Sequence, residues 1–404
     1  MIRPPRVALA VAGAAAVAEG AVLLLRPRSG VIEPVSVEAG SYFTSAQIER
    51  ARAYRRPQLV LFAASAAIET AALAWLARRP PQALRGPFRR PVAAAGAAGA
   101  VLSLGLAGAQ LPLGAISHRR AKAVGLATQG WGGWALDVAR ARALGAVFAG
   151  AGGAGAVALI RHRPSDWWLS GSAALLGLAV AGTYLSPVVI DPIFNRFEAM
   201  AEGETRGDVL ELARRAGVSV GEVYVADASR RTTAVNAYVT GLGRTKRVVL
   251  FDTLLDGDFT RDEVRLVVAH ELAHVRHRDV PRSLVFMVLV APAGLYATAQ
   301  LTEALAPGER SPAVLPALAL AAGAVGAVVG TIANRLSRAV ERRADSFSLE
   351  QTGGVEAFIG FEKGIVLRNL ADPDPPRLLH TLMSTHPTTL ERIGIAKGYE
   401  AGAR

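Results

Sequence analysis

Residues 264–279 read Val-Arg-Leu-Val-Val-Ala-His-Glu-Leu-Ala-His-Val-Arg-His-Arg-Asp, and the rest of the chain is best read outward from them. His270 and His274 stand four apart, with Glu271 beside the first. On an α-helix, positions i and i+4 lie one turn apart on one face, so both imidazoles can reach one ion at about 2.0–2.1 Å. The helix signals are independent of these three residues. Thr260 followed by Glu263 is a capping-box pair, Asp262 adds an acid to the first turn, and Arg276, His277 and Arg278 bring positive charge to the last. An H-E-x-x-H pattern on a helix predicts a zinc site. There Glu271 would take a proton from a water whose pKa the metal lowers from about 15.7 toward roughly 7. Chance coincidence on an amphipathic helix is the competing reading. A third protein ligand separates the two, because an active zinc site takes three.

Composition sets the surroundings of this helix. The chain has 404 residues, of which 51% are hydrophobic and only 19% charged, so part of it is expected in lipid. With no cysteine there is no disulfide, no thiol nucleophile and no thiolate ligand, which leaves any metal to His and carboxylate. The net charge of +12 does not point to nucleic acid. The arginines flank apolar runs and lack interleaved aromatics, as expected for a chain whose partner is a lipid bilayer.

Seven apolar runs are long enough to be considered as membrane helices: Val7–Leu25, Leu59–Ala77, Val92–Ile116, Leu144–Ile160, Trp167–Ile190, Ser283–Leu305 and Pro312–Ile332. The first carries Glu19 and leads into Arg26-Pro27-Arg28 without a small-x-small cleavage site, so it reads as a span and not a removed leader. The fourth is rich in glycine and alanine, which suits close helix packing. Four segments result: 1–190 with five spans, 191–282 with the H-E-x-x-H helix, 283–333 with two spans, and 334–404, polar and helical. The second segment reads as a helix near Gly207–Ala216, a strand near Val218–Val225, and β-rich stretches at Ala234–Thr240 and Lys246–Phe251 joined by the turn Gly241–Arg244. The Lys/Arg bias places the catalytic segment and the C-terminus in the cytoplasm, on the inner side of a cell membrane. The basic turn Arg78–Arg90 is the main contrary signal. Glu19 and Glu69 lie inside spans, where they either line a watery cavity or hydrogen-bond a neighbouring helix.

A candidate third ligand follows the last run. Asn334, Ser337, Arg338, Glu341 and Asp345 fall at helical spacing and form one polar stripe. A solvated face gives such a stripe. Glu341 and Asp345, one turn apart, equally suit a metal-binding carboxylate and a second one that orients a ligand histidine.

The H-E-x-x-H helix, two apolar runs and then N-x-x-S-R-x-x-E-x-x-A-D over Asn334–Asp345 resemble the integral-membrane zinc metallopeptidases of the CaaX prenyl protease 1 family. Pro192–Phe197, Asn236-Ala237-Tyr238 before Arg247–Phe251, and Thr385–Ile393 resemble its other blocks. Over residues 1–190 the likeness rests on the number of runs and on Tyr42-Phe43-Thr44 with Gln47. The resemblance implies a mainly α, multi-pass membrane protein with about seven transmembrane helices and a zincin-like (gluzincin) α+β catalytic domain containing a small β-hairpin or sheet. It also implies one Zn2+ per chain held by His270, His274 and Glu341, with Glu271 as general base and Asp345 steadying a ligand histidine. Asn236 and His386 match residues that the family sets against the substrate or the developing oxyanion, although His386 before Pro387 also reads as a helix-entry residue. His277 either faces the same site or caps the helix in solvent. Asn236–Thr240 and the following turn resemble an edge strand that takes up an extended peptide or protein substrate, and an ordinary hairpin reads the same. The expected activity is zinc-dependent endopeptidase, either CaaX-specific or a broad quality-control protease of membranes. A non-catalytic membrane binding or transport protein is the alternative from another class. The oligomeric state is not legible.

Overall fold

The computed structural model describes residues 4–241 and 246–402. Among them, seven helices are long and apolar enough to cross a membrane: Pro5–Leu25, Ser45–Arg78, Pro91–Ala123, Trp131–His162, Trp167–Phe194, Asp279–Leu305 and Pro312–Thr352. As continuous elements these are α1 (Pro4–Leu25), α2 (Ser45–Arg78), α4 (Pro91–Ala123), α5 (Trp131–His162), α6 (Trp167–Leu185), α10 (Asp279–Leu305) and α11 (Leu315–Thr352), with the short α3 (Gln82–Arg85) in the turn after α2. A π-turn at Ser186–Ile190 and α7 (Asp191–Phe194) extend α6. Most of these helices outrun the apolar stretches that announce them, because each added residue gains a hydrogen bond once a helix is nucleated. The start of α2 shows the local cause. Thr44 Oγ1 accepts from the Gln47 amide and Gln47 Oε1 accepts from the Thr44 amide, a capping box ahead of Leu59.

Glycine does the packing work between α4 and α5. A Cβ on Gly99 would overlap the Ala149 carbonyl, and one on Gly153 or Gly150 would lie 2.8 or 3.1 Å from a carbonyl oxygen of α4. The two intramembrane carboxylates both have partners. Each bonds a neighbouring helix: Glu69 accepts from Gln110 Nε2 at 3.1 Å, and Glu19 accepts from Arg335 of α11 at 2.5 Å, there as one half of an ion pair.

The soluble part is built on a four-stranded sheet of β1 (Phe197–Ala199), β2 (Glu222–Ala226), β3 (Ala237–Thr240) and β4 (Arg247–Phe251), in the order β1-β2-β4-β3. β2 and β4 run parallel, and the outer pairs are antiparallel. β3 is therefore an edge. The β3–β4 turn falls largely outside the described residues, and β1 is too short to have announced itself. Val248, Val249 and Leu250 are all fully buried, as expected of a central strand covered on both faces. Around the sheet lie α8 (Glu204–Arg215), α9 (Arg261–Arg276), α12 (Val355–Asn369) and α14 (Thr389–Glu400), while the short α13 (Arg377–Met383) packs on α11. One core joins Val223, Leu250, Leu272 of α9, Leu349 of α11, Phe358 of α12 and Ile395 of α14.

Two features tie this unit to the membrane part. α11 runs without a break from the apolar stretch into the soluble core and stops at Gly353, whose φ of 66° is the left-handed cap that glycine supplies. The connection between α1 and α2 lies across α14: Ile32 N–H donates to Ser346 Oγ at 2.9 Å, and Val35 N–H donates to the Gly394 carbonyl at 3.0 Å. Gly394 is required there, since a Cβ would overlap the Val35 carbonyl. Gly394→Ala is expected to lower the thermal midpoint of the purified protein by an overpacking cost of about 1–3 kcal/mol. Gly152→Ala, in α5 with nothing within 4 Å of the added Cβ, should leave the midpoint unchanged or raise it, by a stabilisation of about 0.5–1 kcal/mol at most. Circular-dichroism melts of the two variants beside the parent check both.

Candidate metal centre

α9 begins with the capping box read from the sequence. Thr260 Oγ1 accepts from the Glu263 amide, and Glu263 Oε2 accepts from the Thr260 amide at 2.7 Å. One face of this helix is buried in the core through Val264, Leu266, Val268 and Leu272. The adjoining face carries His270 and His274, whose rings lie 5.1 Å apart at 82°. α11 crosses that face and brings in Glu341. His270 Nε2 is 3.3 Å from Glu341 Oε2, and His274 Nε2 is 3.6 Å from Glu341 Oε1.

These separations test whether the donor set suits zinc. Ligands about 2.0–2.1 Å from one tetrahedral ion sit about 3.3 Å from each other, which the two N···O distances approach. The electrostatics agree. Burial disfavours charge on His270, but the carboxylates of Asp345 and Glu341 outweigh it and lift the imidazole to about 10, so the site favours a bound positive charge.

Behind each imidazole stands a carboxylate on the Nδ1 side. His270 Nδ1 is 2.9 Å from Asp345 Oδ1, and Asp345 is fully buried. Arg392 of α14 grips Asp345 with Nη2 at 2.6 Å and Nε at 2.9 Å, lies 2.6 Å from Glu362 through Nη1, and stacks over Phe358. Burial pushes the Glu362 carboxyl up to about 7 against the pull of Arg392. On the other side, His274 Nδ1 is 3.0 Å from Asp279 Oδ2, while Asp279 Oδ1 accepts from Arg343 at 2.5 Å and from Arg282. Both rings thus turn Nδ1 to a carboxylate and Nε2 to Glu341, the orientation that outer partners impose on ligand histidines.

Glu271 lines a cavity of about 1140 Å³ that reaches from the cluster into the space between α6, α10 and α11. Its polar end holds Glu271, His274, Ser337, Glu341 and Thr385, and its walls include Leu175, Met287, Val290 and Val325. Burial raises the Glu271 carboxyl above its usual range. Val239 of the edge strand β3 borders the same cavity.

The remaining expected residues divide. Arg338, Glu341 and Asp345 are buried, so the polar stripe is not a solvated face. His386 reaches the cluster, with Nδ1 2.9 Å from Glu341 Oε2. The helix-entry role belongs to Thr388, whose Oγ1 accepts from the Glu391 amide. Asn236 is exposed at the start of β3, and its hydrogen bonds are local: Oδ1 accepts from Ala237 N–H, and its carbonyl accepts from Phe251 N–H. The structure does not bond it to the cluster. His277 fits neither expectation. It is half-buried against the Phe347 ring, and burial with the nearby Arg343 lowers it to about 4. Asp279, Arg343, Arg392 and Glu362 had no assigned role in the sequence reading. Asp279 lies within the quoted stretch, but its contact with His274 depends on Arg278, at φ 57°, turning the chain from α9 into α10.

Residues 200–400 match the model of peptidase family M48. The uncharacterised metalloprotease YhfN of Bacillus subtilis (strain 168) is 32% identical over 251 residues, 60% of this chain and 59% of that protein. CAAX prenyl protease 1 of Saccharomyces cerevisiae is 35% identical over 127 residues, 31% of this chain and 28% of that protein. The chain thus spans well under two thirds of the length of each. The crystal structure of S. mikatae Ste24p superposes with a TM-score of 0.75 over 98% of this chain and 99% of that one at 20% identity, a likeness of fold that includes the membrane helices. Residues 200–400 of this chain, just under half of its length, thus form a peptidase family M48 domain.

Proposed function

We propose that this chain is an integral-membrane, zinc-dependent endopeptidase. The observation that carries the reading is the convergence of His270, His274 and Glu341 at the head of a cavity walled by Glu271. His270, His274 and Glu341 would hold one Zn2+. When bound, zinc supplies a charge that acidifies water and polarises a carbonyl.

The protein's own groups do the rest. Glu271 accepts a proton from the attacking water and returns it to the leaving nitrogen, a task suited to a carboxyl whose proton affinity is raised by burial. The free edge of β3 receives an extended substrate by strand addition, with Val239 against it. His386 donates toward the developing oxyanion. Asn236, outward at the head of β3, contacts the flanking substrate chain. Residues 191–282 and 334–404 form the catalytic unit, and residues 1–190 and 283–333 form its membrane frame. The arginines at 50, 52, 55, 56, 119 and 120 hold the catalytic unit and the C-terminus on the cytoplasmic side of the cell membrane. The substrate is a peptide segment able to enter the apolar cavity extended, which includes the CaaX-type C-termini for which the yeast relative is named.

Glu271→Gln is expected to retain zinc at the parent stoichiometry and to lower peptide cleavage by about 10²–10⁴-fold. His270→Ala and Glu341→Ala should lose the metal. Elemental analysis beside a quenched-peptide assay distinguishes them, and a Glu271→Gln protein that cleaves at the parent rate would exclude this reading. Asp279 acts on His274 from behind, so Asp279→Ala should weaken zinc affinity by about 10–100-fold. Asp279→Asn, which keeps an acceptor oxygen, should lose less. Competition with a chromophoric chelator measures both.

A further inference from the structure

The segment after α12 carries an unpartnered apolar surface whose depth is set by α11. Residues 377–383 read Arg-Leu-Leu-His-Thr-Leu-Met. At about 100° per residue, Leu378, Leu379, Leu382 and Met383 share one side of α13, while Arg377, His380 and Thr381 share the other. Of the polar side, His380 turns to the protein, with Nε2 2.9 Å from the His386 carbonyl, while Arg377 and Thr381 are exposed. The apolar side is open: Leu378 is 69% exposed, Leu382 44% and Met383 45%. Those values match the outward residues of the long apolar helices, such as Val60 at 68% and Val101 at 69%.

Four polar contacts fix the height of this helix along α11. The Leu382 carbonyl accepts from Asn334 Nδ2 at 3.0 Å and from Thr331 Oγ1 at 3.5 Å. The Ser384 carbonyl accepts from Arg338 at 2.6 Å, and His386 meets Glu341. The chain therefore climbs beside α11 from Thr331 to Glu341, a distance of about 15 Å at 1.5 Å per residue. Residues 315–334 of α11 contain no charged side chain. α13 is thus held at the last turn of the uncharged part of α11, with Leu378 and Leu382 exposed.

We infer that α13 is an interfacial helix, lying in the plane of the bilayer surface with Leu378, Leu382 and Met383 in the lipid. Amphipathic helices of this kind seat their apolar side about 5–10 Å into the headgroup and acyl boundary. The occupant is lipid because the apolar surface is continuous with the uncharged end of α11, and a water-facing position would leave three large apolar side chains exposed at that height. The consequence reaches the site: α13 leads straight into Ser384, Thr385 and His386, so the bilayer anchors the segment that borders the cavity beside Glu341. This inference does not depend on the metal.

The absence of cysteine makes the test clean. Single cysteines at Leu378 and, separately, at Leu382 are spin-labelled and the protein is reconstituted in phosphatidylcholine–phosphatidylglycerol vesicles. Collision with oxygen is compared with collision with a water-soluble nickel complex. Labels at Val60 and at Ala201, an exposed residue of the soluble part, give the lipid and water references. Both α13 labels should follow Val60, with an oxygen-to-nickel ratio several-fold above that at Ala201. A ratio equal to that at Ala201 places the helix in water and overturns the inference. Exclusion of both reagents, which would mean cover by protein such as a second copy, overturns it equally.

Discussion

The approach of one carboxylate to two imidazoles fixes the architecture of this protein. Glu341 meets His270 and His274 only because α9 and α11, separated by a membrane helix in sequence, cross at this point. Their crossing is stabilised by apolar contacts, with Leu266 and Leu272 of α9 and Leu349 of α11 in one core. The hydrophobic effect brings the helices together without direction, and the donor set then needs atoms placed to a few tenths of an ångström. The polar layer behind the imidazoles supplies that placement.

That layer has its own energetic logic. Burying Asp345 and Asp279 unpaired would cost several kcal/mol each, and neither is unpaired. Arg392 binds Asp345 in a two-point grip and leans on Glu362, while Arg343 and Arg282 converge on Asp279. Such networks contribute little net stability compared with apolar packing. Their effect is geometric: each ring is held with Nδ1 beside a carboxylate and Nε2 toward Glu341. The network also distributes the site over α9, α10, α11, α12 and α14, so the cluster requires nearly the whole soluble fold to be in place.

The sequence makes some of this legible and hides the rest for physical reasons. Contacts with a short period show in one sequence. The Thr260–Glu263 cap, the i, i+4 histidines and the polar stripe from Asn334 to Asp345 are helical repeats, and seven apolar runs can be counted. Helix ends are less visible, because α2 starts at a cap fifteen residues before Leu59 and α11 passes smoothly from the apolar stretch into the core. Contacts made by chance of direction do not show at all. Asp279 orients His274 only after a left-handed residue turns the chain, and a reading that begins the next helix at Ser283 leaves Asp279 in a loop. Glu362 sits in α12 among ordinary helix formers, and nothing in its local pattern separates a fully buried acid from a solvated one. The resemblance drew attention to Asn236, whose local hydrogen bonds within the sheet edge are invisible to a motif.

The unbroken course of α11 carries one more consequence. A stiff helix that is uncharged over residues 315–334 and supplies Glu341 and Asp345 further on makes the cluster of His270, His274 and Glu341 part of the membrane frame and not a domain tethered to it. The connection between α1 and α2 adds a second tie, since it hydrogen-bonds Ser346 on α11 and Gly394 on α14 within two residues of Arg392. Displacement of α1 or α11 in the bilayer would therefore be felt at Asp345 from both ends of one hydrogen-bonded chain. Rigid transmission of this kind sets the geometry of His270, His274 and Glu341 by the fold itself, above the apolar cavity that Glu271 lines.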